Sequence, residues 1–243
     1  MRVGLVPLKT EARNPAANLE RLAQRLAEIA PHQLDLVCLP ECTLTGYIYD
    51  EDDLKQFGEP IPGPVTDQLG QLAKRYAIYL CFGMIEAAAS GVYDAAVLLD
   101  RTGQVVLKHR KIEEKPPFAN GKRMDHAETD LGRLGILICG DLFNSAVVRR
   151  LEASLRVLIL PISRSFDGRS PDVERWLTKE RLVYLEAAKA TGVTTLIVNA
   201  LEINSAASAF GGAMIVNAHG ELLAESPHGT DEVVVWDFAE DND

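Results

Sequence analysis

Residues 134–141 read Leu134-Gly135-Ile136-Leu137-Ile138-Cys139-Gly140-Asp141. A continuous apolar run of this kind predicts a strand that other layers of the protein cover. The run ends at a cysteine that is followed by glycine. A cysteine within such a strand is an inert packing residue, whereas a cysteine at its end can face a pocket beside a backbone N–H. Cys139 is therefore a candidate nucleophile, and a core residue is the alternative.

Similar β-rich runs recur along the chain, and helical patterns lie between some of them. The predicted strands span residues 3–8, 34–39, 78–85, 95–99, 134–139, 157–161, 194–199, 213–216 and 233–236. Apolar residues at helical spacing predict helices over 14–30, 65–76 and 175–191. Two βαβ-containing halves without a Pro/Gly/Ser-rich linker favour a layered α/β sandwich in a single domain, residues 1–243. Residues 112–130 lack apolar periodicity and are predicted to form a long functional loop.

The composition excludes several classes of protein. The chain has 243 residues, 47% hydrophobic and 25% charged, so it can bury a sizeable core and is not expected to be disordered. No apolar run reaches the roughly 18 residues of a membrane span. The 25 basic and 35 acidic residues give a net charge of −10, which opposes nucleic-acid binding because that requires a basic face. Residues 237–243 are predicted to be a short, solvated acidic tail.

The cysteines and histidines do not match known metal or disulfide patterns. The four cysteines form no CxxC pair and are too few for a disulfide scaffold in a chain of this length. The histidines match no metal-ligand spacing, and GxGxxG and P-loop motifs are absent, so neither a metal nor a cofactor is expected. The N-terminus reads as a buried strand rather than a signal peptide, which makes the cytoplasm the expected location.

Two further strand ends carry charged residues that chemistry could use. Glu41 follows strand 34–39 and a proline, and Lys111 ends the strand and basic cluster at 105–111. Read alone, each is a solvated surface charge. A thiol attacks a carbonyl only as the thiolate or with a base, and Glu41 can be that base if burial raises its pKa. Lys111 and the N–H of Gly140 can then stabilise the oxyanion.

Five short motifs occur in one order along the chain. Each of them alone is weak evidence for a family, but together they are specific. The motifs are Leu39-Pro40-Glu41 with Leu44-Thr45-Gly46-Tyr47, then His109-Arg110-Lys111, then 135–141, then 181–188 with Val198-Asn199, and finally 210–217 with Gly220. With these motifs the sequence resembles the nitrilase superfamily, the carbon–nitrogen hydrolase family, over nearly its whole length. The first three are similar to that family's general-base, lysine and nucleophile-elbow segments.

The resemblance implies a fold and a mechanism. The fold is a four-layer-forming α-β-β-α sandwich, and the catalytic triad is Glu41, Lys111 and Cys139. Members of the family hydrolyse amides, ureides or nitriles through a thioester-type intermediate without a metal. They usually form dimers or larger homo-oligomers.

The resemblance also implies further site residues. Many members use a second glutamate ahead of a Phe-x-x-Gly, which here is 118–121, so Glu114 is the choice and Glu113 the alternative. A solvated acid pair that balances the neighbouring lysines is the other interpretation. Ser163, after strand 157–161, and Tyr47, in the motif that follows Glu41, are candidate substrate contacts, as is Gly140.

Two features depart from the family pattern. Lys111 and Cys139 are 28 residues apart, which is shorter than usual in the family, and the segment between them lines the pocket in relatives. Gly140 stands where many relatives have an aromatic residue, and this change keeps the N–H but removes a pocket wall. The triad positions are unaffected.

The expected function is therefore thiol-dependent hydrolysis of a small amide or N-carbamoyl substrate. Nitrile hydrolysis or acyl transfer with the same triad are alternatives from the same class. A non-catalytic binding relative of the fold and a metabolite sensor that works by oxidation of Cys139 are alternatives from other classes. The expected partners are a small-molecule substrate and a second copy of the chain, with no nucleic acid and no membrane.

Overall fold

Two six-stranded sheets form the centre of the molecule in the computed structural model, which describes residues 1–166, 171–203 and 208–238. The strands are β1 Arg2–Leu5, β2 Lys9–Glu11, β3 Leu36–Cys38, β4 Tyr79–Ala88, β5 Gly91–Leu99, β6 Val105–Arg110, β7 His126–Thr129, β8 Gly132–Ile136, β9 Val157–Ile162, β10 Thr194–Asn199, β11 Leu201–Ile203, β12 Ala213–Val216, β13 Leu222–Glu225 and β14 Val234–Asp237. The first sheet has the order β14-β1-β3-β4-β5-β6 and the second has the order β13-β12-β10-β9-β8-β7. Strands β2 and β11 form a small parallel pair.

Six helices lie among the described residues, and the three longest pack on the outer faces of the two sheets. The six are α1 Pro15–Ile29, α2 Glu51–Phe57, α3 Pro64–Tyr76, α4 Ser145–Val148, α5 Val173–Arg175 and α6 Arg181–Thr191. A π-helical turn, Trp176–Glu180, joins α5 to α6, and single 3₁₀ turns span Ala30–His32 and Cys139–Phe143.

The alternation of side chains along the strands builds the layers. In β3, Leu36 and Cys38 enter the apolar cluster between the two sheets, whereas Val37 packs against α1 and α3 on the outer face. In β10, Val198 faces the same central cluster, and Ile197 faces a third cluster under α6. Strands buried on both faces read as continuous hydrophobic runs, as the sequence showed. The predicted α-β-β-α sandwich is confirmed.

Several elements differ from the sequence-based prediction. Strand β7 lies inside residues 112–130, which were expected to be a loop, and pairs antiparallel with β8 at the edge of its sheet. Only Ala127 of its four residues is buried, so the strand carries too little apolar signal to be recognised locally. The sequence analysis also did not predict strands β2, β11 and β13 or helix α2, because these short segments carry too little apolar signal. Strand β8 ends at Ile136, three residues before the cysteine.

The first and last strands of the described residues, β1 and β14, lie next to each other. Strand β14 pairs antiparallel with β1, and its last residue, Asp237, forms an ion pair with Arg2. Asp237, predicted to start the solvated tail, is thus the end of a strand, and residues 239–243 of that tail lie outside the described residues. Within the described part, none of the helices is long and apolar enough to cross a membrane.

Candidate active site

Glu41 lies in a tight turn after β3, pressed against β4. Its side chain is 1% exposed. The turn is joined to β4 by hydrogen bonds from Gly83 N to Pro40 O and from Thr43 N to Gly83 O. A Cβ at Gly83 would lie 2.6 Å from Glu41 Cα, so only glycine lets the strand come this close. Backbone packing therefore fixes the acid in the interior, and the solvated reading of Glu41 is wrong.

Lys111 follows β6, and its side chain points into the interior. Its side chain is 6% exposed, and its Nζ lies 2.9 Å from Glu41 Oε1 and 3.1 Å from Asp94 Oδ2. Nζ also forms a close ion pair with Glu114. The backbone is fixed by hydrogen bonds from Lys111 N to Asp94 O and from Gly121 N to Lys111 O. The buried ammonium of Lys111 thus forms ion pairs with three carboxylates.

Cys139 begins a 3₁₀ turn with φ +42°, in the left-handed region that side-chain-bearing residues rarely adopt. Strain of this kind costs on the order of 1–3 kcal/mol and clusters at functional sites. The residue as a whole is partly exposed. Its surroundings include the charges of Glu41 and Lys111 and the backbone N–H of Ser163, which hydrogen-bonds the sulfur. The charges of Glu41 and Lys111 therefore act on the thiol, which favours the candidate nucleophile over a plain core cysteine.

A buried clamp holds the cysteine turn against the lysine segment. Asp141 is 1% exposed, and its carboxylate accepts hydrogen bonds from Ile138 N, at 3.2 Å, and from Ile112 N, at 2.9 Å. His109 Nε2 lies 2.9 Å from Asp141 Oδ2. One carboxylate thus connects the residues that precede Cys139 with those on either side of Lys111.

Glu114, rather than Glu113, reaches the lysine. Glu114 Oε2 accepts a hydrogen bond from Tyr47 Oη at 2.6 Å, and Oε1 accepts one from Tyr49 Oη at 3.1 Å. Glu113 is exposed and accepts a hydrogen bond from Asn144. The two tyrosine rings and Phe118 pack together, which holds the Glu114 loop over Lys111.

The surroundings shift the ionisation of the site in defined directions. Burial raises the pKa of the Cys139 thiol, the negative charge of Glu41 raises it further, and Lys111 and the Ser163 N–H oppose this shift in part. Burial lowers the pKa of Lys111, but Glu41 and Asp94 more than offset that effect, so the lysine stays cationic. Burial raises the pKa of Glu114, but the hydrogen bonds from Lys111 and Tyr47 outweigh it and the net pKa is lowered. The thiol is thus protonated at rest and needs a base.

The three acidic groups are also the one set among the described residues whose geometry would suit a metal ion. One carboxylate oxygen each from Glu41, Asp94 and Glu114 lies within 4.8 Å of the others. The ammonium of Lys111 contacts all three carboxylates, so one positive charge already lies at the centre of the cluster.

The remaining predicted contacts lie around this centre. Tyr47 is half-buried, with its N–H donated to Glu202, and Ser163 presents its N–H to the sulfur. Gly140 is exposed, and a Cβ there would meet only Lys111 Cε at 4.0 Å, so the space left by the missing side chain is open. A groove of about 870 Å³ between β6 and β7 is lined by none of the triad residues.

Sequence reasoning missed four residues of the site. Asp94, Asp141 and Glu202 are acids within apolar or mixed segments, and their burial at 8% or less was the feature that the sequence did not show. Tyr49 lies two residues from Tyr47 and was not singled out. An acid directly before an apolar run, as Asp94 stands before the predicted strand 95–99, was the available signal.

Comparisons with known proteins agree with this architecture. A family model described as carbon-nitrogen hydrolase matches residues 2–241. The chain is 27% identical to Omega-amidase NIT2 of Xenopus tropicalis over 244 residues, which cover 94% of this chain and 83% of that protein. It is 26% identical to Bifunctional nitrilase/nitrile hydratase NIT4B of Nicotiana tabacum over 162 residues, 57% of this chain and 47% of that one. The crystal structure of Saccharomyces cerevisiae Nit3 superposes with a TM-score of 0.82 at 23% identity, covering 97% of this chain and 89% of that chain. The resemblance inferred from the sequence is confirmed.

Proposed function

The chain belongs to the carbon–nitrogen hydrolase family, and from this premise we propose that it hydrolyses a small amide or N-carbamoyl compound with Glu41, Lys111 and Cys139. The observation that carries the proposal is a buried Glu41–Lys111 pair, 2.9 Å apart, whose charges act on a thiol at a strained turn. A base, a cation and a nucleophile thus meet in one place, as acyl transfer to a thiol requires.

The first half of the reaction forms a thioester. Glu41 takes the proton of Cys139 as the sulfur attacks the substrate carbonyl, because the raised pKa of the thiol prevents a thiolate from forming beforehand. The carbonyl electrons move to oxygen, and Lys111 Nζ and the Gly140 N–H stabilise that oxyanion. When the C–N bond breaks, Glu41 returns its proton to the leaving nitrogen and ammonia or an amine departs.

The second half regenerates the enzyme. Glu41, again a carboxylate, takes a proton from water, and the resulting hydroxide attacks the thioester carbon. The C–S bond breaks, the sulfur recovers the proton from Glu41, and the carboxylic acid is released. The sum is amide plus water giving acid plus amine, with no redox change.

The proposed substrate class comes from the relatives. Several are named omega-amidase, which supports a small amide. Nitrile hydrolysis is the second candidate, because other relatives of similar identity are named nitrilase/nitrile hydratase. The sensor alternative is disfavoured because it requires a thiol of low pKa, whereas burial raises the pKa of Cys139.

The test is ammonia release from pools of primary amides, N-carbamoyl amino acids and nitriles. Release from the amide or carbamoyl pool, absent with Cys139→Ala, would support the proposal, and release from nitriles alone would replace it with the second candidate. If no pool reacts, mass spectrometry of the intact protein after exposure to activated acyl esters decides the matter. A Cys139 acyl adduct would keep thiol acyl chemistry, and its absence would favour the non-catalytic alternative.

Glu114 is proposed to hold Lys111 and the substrate in place. We expect Glu114→Gln to lower kcat/KM by about 10- to 100-fold, because a charge-assisted contact to Lys111 contributes about 1.5–3 kcal/mol. Glu113→Gln is the matched control, since this neighbouring acid is exposed and accepts a hydrogen bond from Asn144. Equal loss in both variants would contradict the assignment. Steady-state kinetics on the substrate found above is the measurement.

We also propose that the protein is a homodimer or larger homo-oligomer. Phe143, Leu177, Leu182 and Val183 are 45–51% exposed on and beside helix α6. A cluster of large apolar side chains at the surface is typical of a protein–protein contact. We expect Leu182→Glu to shift the molecular mass measured by light scattering towards that of the 26.6 kDa monomer. Val106→Glu, at an exposed apolar position on β6, should leave the mass unchanged. A wild-type protein that is already monomeric would refute the proposal.

Two further inferences concern the whole chain. We infer a single carbon–nitrogen hydrolase domain over residues 1–243 with a short acidic tail, supported by the family match over 2–241. We infer a cytoplasmic location, supported by the four free cysteines and by the need of a catalytic thiol to stay reduced.

A further inference from the structure

Asp94 is a buried acid to which the mechanism above gives no role. It lies in β5, its side chain is 0% exposed, and Oδ2 is 3.1 Å from Lys111 Nζ. Among the described residues, neither of its carboxylate oxygens has a partner with good hydrogen-bond geometry. A buried carboxylate normally accepts several hydrogen bonds, so a fully ionised Asp94 would be costly.

The charge of the cluster shows that it lacks a positive group. Glu41, Asp94 and Glu114 converge within 4.8 Å, and Lys111 supplies one positive charge. If all three acids were ionised, the buried site would carry two uncompensated negative charges. When carboxylates share a buried site, one of them keeps its proton.

The surroundings indicate which acid keeps it. Glu114 is stabilised as a carboxylate by Lys111, two tyrosine hydroxyls and the Lys115 N–H, and its pKa is lowered. Glu41 accepts a hydrogen bond from Lys111 and must be ionised to act as a base. Asp94 is as deeply buried as Glu41 and has the poorest hydrogen bonding of the three acids, and burial and the neighbouring Glu41 raise its pKa.

We infer that Asp94 holds a proton in the resting enzyme and is a positioning residue, which leaves Lys111 free to stabilise the oxyanion and Glu41 as the only base. The inference rests on the proposed function for its catalytic consequence, because Asp94 acts through Glu41 and Lys111 rather than by touching the substrate. Its geometric basis is the three-acid cluster around one ammonium.

Ionisation of Asp94 would harm catalysis through each group that faces it. Those groups are Glu41, Lys111, Glu114, Tyr47, Cys42 and Cys139. A negative Asp94 would hold Lys111 more tightly in its resting position and raise the pKa of Cys139. Both effects slow attack, so kcat/KM of the wild type should fall on the basic side when Asp94 loses its proton.

The first experiment compares pH profiles of kcat/KM for the wild type and Asp94→Asn. Asparagine keeps the shape of a protonated aspartate and cannot ionise, so we expect the basic limb to move up by about one pH unit or more, or to vanish. Glu86→Gln is the matched control, because Glu86 is a buried acid of the same sheet that pairs with Lys108 and Arg110 outside the site. The Glu86→Gln variant should show the same basic limb of kcat/KM as the wild type. A uniform loss of activity at all pH values in Asp94→Asn would indicate a merely structural role and overturn the inference.

The second experiment does not require turnover. Infrared spectra in D₂O should show the C=O stretch of a protonated carboxylic acid at neutral pH, absent in Asp94→Asn and present in Glu86→Gln. If the band is missing from the wild type, or survives in Asp94→Asn, the inference is wrong even when ammonia is released. If the band behaves as expected but no substrate reacts, the proton on Asp94 stands and the proposed function is what fails.

Discussion

Replacing Cys139 with alanine is expected to lower kcat/KM by about 10⁴-fold or more, because removal of a covalent nucleophile leaves only binding and oxyanion stabilisation. The fold should persist. The side chain is small, the residue is partly exposed, and alanine at φ +42° experiences the same backbone strain as cysteine does. The measurements are ammonia release and thermal unfolding. The expected result is an unfolding temperature close to that of the wild type together with background turnover.

Cys81→Ala is the control for this experiment. Cys81 is a buried cysteine in β4 that packs between the sheets, away from the cluster around Lys111. Its replacement should lower stability modestly and leave kcat/KM near that of the wild type, since a small core truncation costs transfer free energy without touching the chemistry. If Cys139→Ala kept full activity, or Cys81→Ala lost it, the assignment of the nucleophile would be wrong.

Lys111→Met is expected to abolish turnover and also to destabilise the fold by about 3–5 kcal/mol, the usual cost of removing one partner from a buried ion pair. Methionine has a similar length but no charge, so Glu41, Asp94 and Glu114 would be left in the interior without a cation. The measurement is urea unfolding of the wild type and the variant side by side.

The stability lost in Lys111→Met should depend on pH with a definite sign. Carboxyl groups without their cation have pKa values raised above those of the unfolded chain, so their ionisation costs stability as pH rises. The deficit should therefore be small in acidic buffer, where the carboxyl groups are protonated in both states, and grow towards neutral pH. A deficit that stays constant with pH would argue that Lys111 contributes packing rather than charge.

Lys108→Met is the matched control for the lysine. Lys108 Nζ lies 2.8 Å from Glu86 Oε1, but Arg110 contacts the same carboxylate and remains in the variant. Its replacement should cost much less stability than that of Lys111 and should not change the chemistry. Combining Lys111→Met with Glu114→Gln should recover part of the lost stability, because one of the unpaired charges is removed, while activity stays absent.

The sequence alone predicted the layers and the triad. The continuous apolar runs and the helical periodicities of 14–30 and 65–76 follow from local burial, and these elements lie where they were expected. The three triad positions stand at strand ends with residue types that fit one chemistry, so their order along the chain was informative.

Only the tertiary structure decided which acids are buried, which groups surround Lys111 and which of two adjacent acids contacts it. The sequence does not distinguish Glu113 from Glu114. In the structure, Tyr47 and Tyr49 hold Glu114 beside Lys111, and Glu113 is exposed to solvent. In the sequence, Asp94 and Asp141 do not differ from other acids. In the structure, both are buried by chain segments that are distant in sequence. Electrostatic interaction depends on distance and on exclusion of water, and both are set by contacts between residues tens of positions apart, which local periodicity does not record.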